Sequence, residues 1–157
     1  MKRIFLLLLS LLVIVVAYGL KGGALQIIFV AKAVIPLLLC TILGTLFSFK
    51  LSEIISAFRD AFNEEAIQNN TEVYKLDRLV IRNISSVLAF WTSVIVVLGI
   101  VTALSNISDM TKLGLELSSV FTVLTLGLII KALLLIPMEI SIKKKLILTR
   151  KIQDYAQ

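Results

Sequence analysis

The sequence predicts an all-α, polytopic membrane protein with four transmembrane helices, the third and fourth extending into the cytoplasm. Three observations lead there. The 157 residues are 59% hydrophobic and only 17% charged, with a mean hydropathy of +1.01, whereas soluble domains are about half apolar and about a quarter charged. The apolar residues gather in four runs, 4–20, 33–49, 84–104 and 117–137. Each is roughly 17–21 residues long, enough to cross about 30 Å of hydrocarbon as a helix. The runs are continuous rather than alternating, so helices satisfy the backbone in lipid and barrel strands do not. The length allows one compact unit, 1–157.

The first run follows Lys2 and Arg3 and ends near Ala17-Tyr18-Gly19. That pattern is shared with a cleavable signal peptide, but its length favours an uncleaved span. The second run holds the single cysteine, Cys40, read as a small lipid- or helix-facing residue. After it, Leu51, Ile54, Ile55, Phe58, Ala61 and Phe62 recur at helical spacing, with Ser52 as the expected N-cap. This predicts an amphipathic helix on the membrane or on neighbouring helices, within a cytoplasmic helical loop, 50–83. The polar stretch Asn63–Thr71 interrupts it. Thr71 is then the expected cap of a helix with Val73, Leu76, Val80, Ile84 and Val87 on one stripe, which runs unbroken into the third span. The tail, 138–157, extends the fourth span in the same way, with its lysines and Arg150 in solvent or near anionic headgroups.

Charge sets the orientation. Lys2 and Arg3, then Lys50, Arg59, Lys75, Arg78 and Arg82, then Lys143, Lys144, Lys145, Arg150 and Lys151 fall on one side, against Lys21, Lys32 and Lys112 on the other. The positive-inside rule places both termini and the middle loop in the cytoplasm, and an even number of spans requires the same. The net charge of +6 is therefore read as topology, and no nucleic-acid partner is expected.

No Asp, Glu or His falls in any of the four runs. A proton relay through this chain would need such a group, so an ion-binding acid must come from a partner. The one charge deep in a span is Lys131, either snorkelling to the headgroups or facing a pore or partner. Thr92 in the third span and Ser118, Thr122 and Thr125 in the fourth are hydroxyl candidates, the last three at i, i+4, i+7 spacing. They either bond back to their own helix or line a polar path. Pro137 marks a hinge or a plain bend near a membrane exit. There is no nucleophile–base pair, metal cluster or phosphate loop, so neither an enzyme, a cofactor nor a metal is expected.

Several segments carry a resemblance. They are Gly22-Gly23, the run Gly44-Thr45-Leu46-Phe47-Ser48-Phe49-Lys50-Leu51 before the amphipathic helix, and Leu98-Gly99-Ile100-Val101 through Leu104-Ser105-Asn106-Ile107. Asp109, Leu113-Gly114, Gly127 and Pro137 follow in order. The chain thereby resembles the MotA/TolQ/ExbB proton channel family, in a short form lacking a large cytoplasmic domain. The resemblance implies a homopentamer in the bacterial inner membrane that surrounds single-span helices of a MotB/ExbD-like partner carrying the ion-binding Asp. It also makes Pro137 the family's functional proline and Gly99 and Gly127 packing glycines. The sequence departs from the family at Ala89–Ile95, which has neither the proline nor the glycines expected there, at Leu124 in place of a threonine, and at Lys131 in place of a small or apolar residue. The expected function is a subunit of an ion-driven motor or channel. The alternatives are a non-conducting scaffold that binds a partner helix and a small four-span transporter. Tag-accessibility mapping on intact cells should find both termini on the cytoplasmic face; termini on opposite faces would break the four-span topology.

Overall fold

The computed structural model describes residues 31–63 and 71–155, and these are almost wholly helical, with no strand among the described residues. The first apolar run, 4–20, and Gly22-Gly23 lie outside them. The elements are α1 (Ala31–Ser48), α2 (Leu51–Phe62), α3 (Thr71–Ser105), α4 (Met110–Ile129), a π-helical turn (Ile130–Leu135) and α5 (Ile136–Tyr155). Among the described residues two helices are long and apolar enough to cross a bilayer, α3 and the continuous run Met110–Gln153; counting the bent pair of α1 and α2 as one span makes three.

α3 organises the rest, since α1, α2, α4 and α5 all pack against it. Its 35 residues extend about 52 Å at 1.5 Å per residue, well beyond the hydrocarbon thickness of about 30 Å. The stripe facing its neighbours is Tyr74, Asp77, Val80, Ile81, Ile84, Leu88 and Thr92. Of the stripe read from the sequence, Val80 and Ile84 are buried as expected, Val73 and Val87 are half-buried, and Leu76 is exposed, which is the one correction. The inward set is rotated by about one residue and carries a carboxylate. Thr71, the expected cap, instead donates its hydroxyl to Gln153 Oε1 of α5 at 2.6 Å.

α1 packs one narrow seam, Leu37, Thr41, Gly44 and Thr45, and exposes Ile35, Leu38, Leu39, Ile42, Leu43, Leu46 and Phe47. Thr41 and Thr45 donate to the carbonyls one turn back, both at 2.7 Å, so neither is an unsatisfied polar group in an apolar seam. At Ser48 the chain turns through 107° into α2. Lys50 is the N-cap, not Ser52: Lys50 N–H donates to Glu53 Oε2 at 2.9 Å while Glu53 N–H donates to Lys50 O at 3.0 Å. The acid three residues on satisfies the orphan amide, which fixes the helix start earlier.

The faces of α2 are also corrected. Ala57, Asp60 and Ala61 are buried, Ile54 and Phe58 half-buried, while Leu51, Ile55 and Phe62 face outward. α3 and α4 form an antiparallel hairpin across a short turn, with Asp109 as N-cap of α4 accepting from the amides of Thr111 (3.1 Å) and Lys112 (3.2 Å). The helix then runs through Pro137 without ending. A proline ring clashes with the carbonyl four residues back and removes an amide; the chain answers with the widened turn before it, in which Ile136 N–H donates to Lys131 O. A π turn inside one continuous helix thus accompanies Pro137.

The hairpin seam closes on small residues. A Cβ on Gly99 would lie 2.5 Å from Val120 Cγ2, and one on Gly127 would lie 2.5 Å from Thr92 Oγ1, whereas one on Gly114 would meet nothing within 4 Å. Gly127→Ala and Gly99→Ala should therefore destabilise the chain in detergent by about 1–3 kcal/mol. Gly114→Ala should be neutral or stabilising by up to about 1 kcal/mol. Thermal unfolding of the three variants checks this, and equal behaviour at positions 114 and 127 would refute the close seam.

Candidate functional site

The residues singled out from the sequence fall in two places. Thr92 is buried, donates its hydroxyl to Leu88 O at 2.7 Å, and faces Gly127 across the α3–α4 seam. Thr122 is half-buried and donates to Ser118 O at 2.8 Å; Ser118 is half-buried and Thr125 exposed. Gly99 meets Val120 in the same seam. Lys131 is half-exposed in the π turn, and no carboxylate among the described residues lies within ion-pair distance of it; Pro137 is exposed. The structure therefore brings Thr92 and Gly127 together and leaves Thr125, Lys131 and Pro137 on the outside of the single chain.

A second constellation, which the sequence reading did not identify, is built where α2, α3 and α5 meet. The inward residues of α5 are Met138, Ser141, Ile142, Lys145, Leu146 and Thr149, spaced three and four apart. Lys145 is 6% exposed, whereas Lys143, Lys144, Arg150 and Lys151 are exposed. The expectation that every tail lysine meets solvent is corrected at this one position, because the helical stripe carries it inward. Its Nζ donates to Asp60 O at 2.8 Å and to Asn63 O, and lies 5.9 Å from the centroid of the Tyr74 ring. Ser141 Oγ donates to Ala61 O at 3.0 Å. Together they satisfy the carbonyls at the C-terminus of α2, where a cation also complements the helix dipole.

Behind this cap lie two carboxyls, Asp60 at 5% and Asp77 at 1% exposure. The two carboxyls adjoin, close enough for Asp60 to bear on the protonation of Asp77, and Oδ2 of each is buried without a hydrogen-bond partner. Arg59 Nε stands 3.9 Å from Asp60 Oδ1. Burial, first, and then the adjoining Asp60 push the Asp77 carboxyl up to about 7; Ser56 and Lys145 oppose that shift. Two adjoining buried carboxylates do not both ionise readily, so the pair holds a proton near neutrality.

This arrangement can bind and release a proton. Among the described residues no group of three His, Cys, Asp or Glu side chains could hold a metal ion. A signal for it does exist in the sequence. Asp60 falls three residues after Ala57, Asp77 three after Tyr74, and Lys145 three after Ile142. Each is on a helical stripe with apolar neighbours, but apolar residues on the opposite faces obscured which stripe turned inward.

The sign of the pH effect follows from the raised affinity. Asp77 binds its proton more tightly in the fold than at its ordinary value of 3.8. The fold consequently loses stability as pH climbs from 3.8 towards about 7, and the loss is complete above that. Asp77→Asn keeps a donor towards Asp60 and removes the titration. It should raise the melting temperature at pH 8 by several degrees, each 1 kcal/mol being worth roughly 2–4 °C, and leave it unchanged at pH 4. Comparisons with known proteins return no matching family model, curated protein or solved structure, so the functional reading rests on the residues described above.

Proposed function

We propose that the chain is a MotA-like subunit of an oligomeric, ion-driven assembly of the bacterial inner membrane. In this reading five copies, with both termini cytoplasmic, surround the membrane-spanning helices of a single-span MotB/ExbD-like partner that carries the ion-binding Asp. One observation carries the reading. A hairpin of two helices, Thr71–Ser105 and Met110–Gln153, extends far past bilayer thickness, yet only 17% and 22% of the residues in their most apolar windows are buried within the chain. Helices of that length with so little internal cover need other membrane-embedded surfaces, either lipid or further helices. The four apolar runs, 4–20, 33–49, 84–104 and 117–137, also lack any acid of their own, so coupling to an ion within the membrane requires one from outside the chain.

A second reading has its own support. Thr92, Ser93, Thr102 and Thr122 each donate to a carbonyl one turn back in their own helix. Hydroxyls satisfied in this way are poor stations for an ion, which favours a scaffold of the same shape that holds a partner helix without conducting.

Mass measurement of the complex in nanodiscs should give five copies of the chain together with a smaller number of a single-span partner; a monomer or dimer overturns both readings. Proton leak into liposomes separates them, being present with partner for the first and absent for the second. Lys131→Leu should reduce leak or partner retention at least severalfold if Lys131 faces the partner; no change in either assigns it to snorkelling.

A further inference from the structure

Between α3 and α5, a groove of about 280 Å³ is lined by Lys75, Arg78, Leu79 and Arg82 together with Leu146 of α5. Its three cations recur at i, i+3 and i+7 and so share one face of the helix. Two are already matched: Lys75 Nζ lies 2.6 Å from Glu72 Oε1, and Arg78 Nε lies 3.6 Å from Glu139 Oε1. Arg82 has no carboxylate within ion-pair distance among the described residues. The groove is thus short of one negative charge, and Arg78 Nε is buried without a hydrogen-bond acceptor. The volume is at the low end of small-ligand pockets, about 300–1,000 Å³. It admits a headgroup rather than a whole lipid. Leu79 and Leu146 give one wall an apolar character.

Depth decides the source of the anion. Arg82 stands two residues before the apolar run that begins at Ile84, about 3 Å along the helix axis. That places its guanidinium in the headgroup layer, which occupies roughly 5–8 Å on either side of the hydrocarbon. A phosphodiester with one net negative charge is present at that depth all along an anionic membrane surface, and a guanidinium grips its oxygens in bidentate fashion.

We propose that the Lys75–Arg78–Arg82 groove is a binding site for the phosphodiester headgroup of an anionic phospholipid. Arg82 holds the phosphate with the glycerol on its hydrocarbon side, while Lys75, Arg78, Leu79 and Leu146 lie further from the hydrocarbon and border the polar end of the headgroup. The site rests on the membrane placement of α3, which alkaline extraction tests separately. A chain released by alkali loses that placement and the site with it, whereas a retained chain with no headgroup preference loses the site alone.

The full chain, purified in detergent and delipidated, is titrated with phosphatidylglycerol or phosphatidylcholine and its bound lipid counted by native mass spectrometry. Wild type should retain the anionic lipid several-fold better than the zwitterionic one. Arg82→Gln should remove about fivefold of that preference, the contribution of one cation near a charged surface. Lys151→Gln, at an exposed lysine outside the groove, should leave it unchanged. Equal loss in both variants would mean diffuse attraction and overturn the site. So would inorganic phosphate at millimolar concentration displacing the lipid from wild type, since that assigns the groove to a soluble anion.

Discussion

On the membrane placement proposed above, α3 crosses a bilayer and continues beyond it, so it meets two solvents and is where this chain reconciles them. Within the apolar run, side chains facing away from the protein are already in a favourable medium, so packing need only be close. Once the same helix emerges, its exposed apolar surface would face water, and burial becomes the driving force. The two regimes are visible in what covers α3. Along the span it meets α1 and α4 through Gly44, Gly99, Gly127 and hydroxyl residues. Towards its N-terminal end it meets α2 and α5 through larger side chains, Tyr74, Val80, Ile81, Met138, Ile142 and Leu146. The 107° turn after α1 delivers α2 to the second region, where its carbonyl end is held by α5.

That junction is costly in isolation and consistent as a set. Burying Lys145 is offset by its bonds to Asp60 O and Asn63 O and by the Tyr74 face. Burying Asp77 beside Asp60 is tolerable because Asp77 holds its proton up to about pH 7. The ammonium donates to the carbonyls of Asp60 and Asn63, while the two acids have Arg59, Ser56 and each other as neighbours. The polar groups therefore specify which way α2 docks more than they add to stability.

The long helices were legible from the sequence, and their inward faces were not. The unbroken run from the middle loop into the third span, and from the fourth span into the tail, needed only continuity of apolar residues without a stop signal. Facing is different in lipid, where hydrophobicity stops discriminating: on α1, Leu37 is 0% exposed and Phe47 is 94% exposed, yet both are strongly apolar. The marks of burial there are Thr41, Gly44, Thr45, Thr92 and Gly127, residues that permit close approach. Beyond the span the ordinary stripe rule returns. It failed for α2 because Leu51, Ile55 and Phe62 offer a competing apolar face, which hid Asp60. Lys145 was hidden by its company, since it follows two lysines that do face outward.

The π turn ahead of Pro137 acts as a phase adjuster. An extra residue wound into one turn sets the following helix back by about 100° relative to a regular α-helix. The azimuth at which Lys145 and Ser141 leave α5 is therefore fixed by the geometry of Ile130–Leu135, more than a turn away. The register of the clasp on α2 is thus set by one widened turn ahead of a single imino acid.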